Sequence, residues 1–165
     1  MVDEIGYTPG LVPPDYVDNR RDSALTVTLN SDNQLPPDGV KGVALWDDRL
    51  WVWGGTTTDD LGVVTPEPPN RLRFSKAVSV ENFPILSNFV YAGTGSEQIQ
   101  NCIEHDGELF VLTLTKVFRI VGSAGNYRAV GTAVNQGLRS PHGLIKGVRS
   151  VYMYAYDGIY EFPSG

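Results

Sequence analysis

Apolar residues in this chain fall in short runs, paired two by two across a few polar residues. Val40 to Trp46 is followed by the polar Asp47-Asp48-Arg49 and then by Leu50-Trp51-Val52-Trp53, which ends at Gly54-Gly55. The same order returns at Ile99 to Ile103, His105-Asp106-Gly107 and Leu109-Phe110-Val111-Leu112. It returns again at Leu144 to Val148, Arg149-Ser150 and Val151-Tyr152-Met153-Tyr154. Each copy predicts a β-hairpin, because a polar turn this short can join only antiparallel neighbours. Apolar residues at i, i+3 and i+4 never persist along the chain, so no helix is expected.

The segments after each hairpin repeat as well. Leu72-Arg73-Phe74-Ser75, Val117 to Val121 and Gly158 to Phe162 read as third strands. Asn88 to Ala92 and Tyr127 to Val130 read as fourth strands of the first two copies, and Thr56–Pro69 reads as a long loop. The chain is therefore expected to be all-β, built of antiparallel four-stranded repeats spaced by about 57 and then about 43 residues, as in a partial β-propeller. The expected blades are 40–92, 99–133 and an incomplete 142–163. A β-sandwich is the alternative, since it accounts for the number of strands but not for their recurring order.

Residues 1–23, rich in Pro and Asp, read as an extended arm that orders on assembly. An orphan strand, 24–30, follows it (Ala24 to Leu29 alternates). The third copy reaches Gly165 with three strands, and an open third strand would expose unpaired backbone. The orphan strand is expected to complete it. Three blades are fewer than the roughly four to eight of a closed ring, so closure is expected between subunits, as a homo-oligomer or within a larger ring.

Composition narrows the class. Eighteen glycines and eleven prolines, placed between apolar runs, supply the turns of an all-β fold. A net charge of −6 argues against specific binding of nucleic acid by counterion release. The Arg20-Arg21 pair and the Arg71/Arg73/Lys76 group read as solvated surface patches. One cysteine, Cys102, permits no intrachain disulfide. Met1-Val2-Asp3-Glu4 does not read as a signal peptide, and no apolar run approaches a membrane span, so a soluble protein made in a cytoplasm, with no membrane partner, is expected.

Candidate chemistry is sparse. Cys102 lies in an apolar strand and reads as a buried, inert thiol, with His105 in a solvated turn and His142 in a loop. Asp47-Asp48 and Asp59-Asp60 are adjacent pairs that diverge in turns rather than flanking a sugar. Gly93-Thr94-Gly95 leads to no helix and so is not a nucleotide loop. No catalytic residue, metal site or cofactor is expected, and the protein is read as not an enzyme.

The aromatics are the stronger signal. Trp46, Trp51 and Trp53 crowd the first hairpin, and Tyr152, Tyr154, Tyr156 and Tyr160 the third. Trp51 and Trp53 share one strand face, as do Tyr152, Tyr154 and Tyr156. Such clusters serve either packing between sheets, a subunit interface or a ligand-stacking platform. A carbohydrate-binding module built on the Trp46/Trp51/Trp53 cluster is the alternative function, and a propeller hydrolase a third.

Residues 44–54, with Asn70-Arg71-Leu72-Arg73-Phe74-Ser75 and Val80-Glu81-Asn82-Phe83-Pro84, resemble a blade of tailed-phage virion proteins. In these, a strand reading Asn-Arg-Leu-x-Phe-Ser precedes a short Glu-x-Phe segment. Residues 108–112 with 116–122 resemble the next blade, and 140–144 with 156–162 the one after. The likeness spans about residues 40–163 and is to the propeller of podovirus tail nozzle and hub proteins and of packaged-DNA stabilisation proteins. It implies a non-enzymatic structural component of the virion, in the tail or head–tail connector, partnered by other virion proteins around the DNA channel. An acidic channel wall would let DNA slide, because basic walls hold phosphate.

Overall fold

The computed structural model describes residues 35–58, 61–84 and 86–163, all within one compact unit, 31–165. The expected arm 1–23, the strand 24–30, Arg20-Arg21 and the Asp59-Asp60 pair lie outside the described residues. Among the described residues every regular element is a strand, and the sheets are antiparallel and open.

The first sheet runs β1 (Gly42–Trp46), β2 (Arg49–Trp53), then β5 (Arg71–Phe74) and β6 (Phe89–Tyr91). Between β2 and β5 a separate ribbon is formed by β3 (Thr56–Thr58) and β4 (Val64–Pro66). The segment read as a long loop therefore contains paired strands, whose threonines and terminal proline hide the pattern. The second sheet runs in chain order: β7 (Ile99–His105), β8 (Glu108–Thr113), β9 (Val117–Ser123) and β10 (Asn126–Gly131). The third holds β11 (Leu144–Lys146), β12 (Ser150–Tyr154) and β13 (Ile159–Pro163).

Turn chemistry sets the hairpins. Asp47 and Asp48 have φ of 52° and 53°, and Asp106 and Gly107 have φ of 52° and 77°. Two successive left-handed residues match the twist of the flanking strands, and Asp and Gly tolerate that conformation best. Because the second turn uses only Asp106 and Gly107, His105 belongs to β7, paired with Glu108. It is buried rather than solvated, and neither ring nitrogen has a hydrogen-bond partner. The third hairpin turns through Gly147, whose N–H donates to Ser150 O at 2.8 Å, so Ser150 opens the strand instead of lying in the turn.

Two cores alternate with three layers. Trp51, Trp53, Leu72 and Phe74 of the first sheet meet Leu109, Val111, Phe118 and Ile120 of the second. The opposite face of the second sheet gives Phe110, Leu112 and Val117 to Val151, Met153 and Phe162 of the third. Successive residues of β8 thus enter different cores, which explains its unbroken apolar run. A two-layer sandwich has one core, so this layering departs from it. First strands lie near first strands (β1 by β7, β7 by β11) and fourth near fourth (β6 by β10).

Close packing dictates one residue type directly. Gly42 lies opposite Trp53, and a Cβ there would overlap the indole ring.

Polar contacts tie the layers. Trp46 Nε1 donates to Gly107 O at 2.7 Å, and Lys146 Nζ lies 2.6 Å from Glu104 Oε2. The basic group at 71–76 is not a solvated patch. Arg73 is buried and pairs with Glu67 Oε1 at 2.7 Å, while Arg71 pairs with Glu67 Oε2 at 2.9 Å.

Candidate functional site

The two aromatic clusters occupy equivalent positions and have opposite fates. Trp51 and Trp53 are 0% and 4% exposed, whereas Tyr152 and Tyr154 are 41% and 44% exposed. Register explains the equivalence. Trp53 pairs with Leu72, Leu112 with Val117 and Tyr154 with Ile159; Trp51 pairs with Phe74, Phe110 with Arg119 and Tyr152 with Glu161. Residues directly opposite on neighbouring strands share a face, so each set marks the face that its sheet turns toward the next layer. In the first two sheets that face is covered. In the third it is exposed.

Trp46, Trp51, Phe74 and Tyr127 form a continuous aromatic cluster between the first two sheets. Centroids are 4.7 Å apart for Trp51 and Phe74, 5.1 Å for Trp51 and Tyr127, and 5.5 Å for Trp46 and Tyr127. Arg49 Nε donates to Tyr127 Oη at 3.1 Å, and the Tyr127 hydroxyl donates to Asp47 Oδ2. Partial burial and the bond to Asp47 hold the Tyr127 phenol above its usual range. Trp51 and Trp53 have no ring face left for a ligand, and Trp46 is half-buried.

The third sheet presents a different surface. Val151 and Met153 of β12 point into the core, so Tyr152 and Tyr154 point out, flanked by Ile145 and Ile159. Together with His142 they line a groove of about 350 Å³ with almost wholly apolar walls. Arg139 sits beside it. Its guanidinium lies 5.5 Å from the Tyr154 ring centroid and 5.3 Å from that of Tyr156, and Nη1 donates to Tyr154 Oη at 2.9 Å. Tyr152 Oη donates to Glu161 Oε1 at 3.4 Å.

Of the residues singled out from sequence, the structure gathers Trp46 and Trp51 into the inner cluster, places Trp53 further along the same face, and sets Tyr152 and Tyr154 on the outer face. Ile145, Ile159 and Arg139 were not anticipated there. The two isoleucines were findable by aligning third-copy positions with Ala44 and Leu72 of the first, whereas Arg139 lies in an irregular segment with no local signal.

The chemistry of this face is apolar and aromatic. Cys102 is remote from it and buried, and desolvation holds its thiol well above the usual range. Among the described residues no three His, Cys, Asp or Glu side chains converge as metal ligands. No protein-family model matches the chain, and no curated protein matches it significantly.

Proposed function

We propose that this chain is a non-enzymatic structural component of a tailed-phage virion, made in the host cytoplasm, that acts in the tail or head–tail connector. Its three sheets are read as propeller blades, and its work as shape and interface within a ring around the DNA channel. The observation that carries this reading is the repeat of layers itself. Equivalent faces are buried twice and exposed the third time, as in a module whose purpose is to stack on something further. The resemblance of residues 40–163 to phage propellers supplies the setting.

A sugar-binding role fits this surface less well. Saccharide hydroxyls need hydrogen-bond partners placed around a stacking ring, and the groove beside Tyr152 and Tyr154 is nearly all apolar. The indoles of Trp51 and Trp53 are enclosed between layers, and that of Trp46 is half-buried. Immunogold electron microscopy of particles of the encoding phage tests the proposal. Label at the tail or neck is expected, and particles that lack the chain altogether would overturn it.

A further inference from the structure

We infer that the open edge of the third sheet takes a fourth strand, and that residues 24–29 of a second copy of this chain supply it. This contact rests on the ring-assembly part of the proposed function and names the segment and the edge that meet.

The third sheet is one strand narrower than the first two. β6 and β10 stand as fourth strands there, whereas among the described residues β13 pairs with β12 alone. Ala155 N–H donates to Gly158 O at 2.9 Å, and the register runs on through Met153–Tyr160 and Val151–Phe162. Bonds alternate along an antiparallel pair. Tyr160 and Phe162 therefore bond back to β12, and the N–H groups of Ile159 and Glu161 face away from it. Such an edge is a template for a further strand.

A bare row of side chains lies where that strand would pack. In the first interlayer core, Tyr127 of the fourth strand β10 covers Trp51 and Phe74, its ring centroid 5.1 Å from each of theirs. The matching row of the second sheet is Phe110, Arg119 and Val130, in register across β8, β9 and β10. Phe162 of β13 covers Phe110, with 5.3 Å between centroids. Beyond it the row is open. Arg119 and Val130, with Glu108, line a groove of about 230 Å³, and Val130 is 37% exposed. A strand added beside β13 lies over this groove as β10 lies over Phe74. It needs an apolar face for the groove and a more polar one behind.

Residues 24–29, which lie outside the described residues, have that pattern. Leu25, Val27 and Leu29 alternate with Ala24, Thr26 and Thr28. Chain length points to another copy as the donor. The described fold begins at Leu35 and runs into β1, the first strand of the first sheet. The vacancy beside β13 is two layers and three strand ranks away, about 24 Å at spacings of about 10 Å and 4.8 Å. Six residue steps from Leu29 to Leu35 span at most about 20 Å. A strand passed from each copy to the next makes a heterologous contact, which propagates until a ring closes.

Sedimentation velocity of the full chain, up to roughly 100 μM, tests this with two variants. Val27→Pro spoils the donor strand. Glu161→Pro removes an outward N–H from the acceptor edge and no bond to β12. A circular dichroism spectrum matching wild type shows that each is folded, and Val130→Asp serves as a second acceptor variant. Wild type should sediment as an oligomer, and each variant alone should associate more weakly by roughly 100-fold or more. An equal mixture of Val27→Pro and Glu161→Pro should form heterodimers, because one intact donor and one intact acceptor remain. A labelled peptide of residues 22–31 should bind Val27→Pro and not Glu161→Pro. Undiminished association of Val27→Pro would overturn the inference, as would a peptide that binds neither variant or both alike. So would a monomeric wild type, including one whose Ile159 and Glu161 amides are protected from hydrogen exchange by a segment of the same chain. A monomer present in particles defeats this inference alone, and an associating chain absent from particles defeats the virion reading alone.

Discussion

Arg73 Nε donates to Glu67 Oε1 across 2.7 Å, and both side chains are almost withdrawn from water. The second oxygen of the same carboxylate takes Arg71 Nη1, so one acid bridges two guanidinium groups on one face of β5. Removing the acid takes a carboxylate partner away from a buried guanidinium on β5. Glu67→Ala should therefore cost on the order of 3 kcal/mol. Urea denaturation followed by tryptophan fluorescence measures it, and a loss below about 1 kcal/mol would show that water reaches the pair.

Tyr127 contributes both a ring and a hydroxyl to the first interlayer cluster. Tyr127→Phe keeps the contacts with Trp46, Trp51 and Phe74 but loses the bonds to Arg49 and Asp47, at a cost of about 1 kcal/mol. Tyr127→Ala also opens a cavity, and should cost roughly 3 kcal/mol or more. The raised phenol adds a pH signature. Its stabilisation is complete below the unfolded value near about 10 and fades as pH climbs through the folded one. Alkaline melts should show this fading in wild type and not in Tyr127→Phe.

Lys146 links the third sheet to Glu104 of the second. The hydrogen bond from Lys146, helped by the N–H of Gly107, holds the Glu104 carboxyl below its usual range. A depressed acid stabilises the fold above its unfolded value and stops doing so as pH falls through the lower, folded one. Both side chains are partly solvated, so the effect is small. In melts between neutral and acid pH, the gap between wild type and Lys146→Met should shrink toward pH 3 and vanish in high salt.

Cys102 is the only thiol and is enclosed in the first interlayer core. The native protein should react with an aromatic disulfide reagent far more slowly than the urea-unfolded chain, with one equivalent released on unfolding. Rapid stoichiometric reaction without denaturant would mean that the first two layers separate readily.

Local chemistry was readable in the chain and non-local chemistry was not. Asp47-Asp48 and Asp106-Gly107 announce tight hairpins because few residues accept positive φ, and the alternation of Trp51 and Trp53 announces a shared face. The ribbon of Thr56–Thr58 and Val64–Pro66 escaped because short, exposed threonine strands lack an apolar period. His105 escaped because shortening the turn by one residue moves it from solvent into the strand. Arg73 escaped because its partner, Glu67, lies beyond the reach of a charge-cluster reading. Trp51 and Tyr152 carry the same local pattern. Their different exposure depends on whether a further layer exists, which no window of sequence contains.

The middle sheet has consequences for how this protein comes apart. Leu109 and Val111 point one way and Phe110 and Leu112 the other, so β8 has no side that water could wet without loss. Peeling either flanking layer strips an oily surface bare and weakens the hold on the other. Partial melting is thereby penalised at every step, and the described residues are built to fail together rather than leaf by leaf.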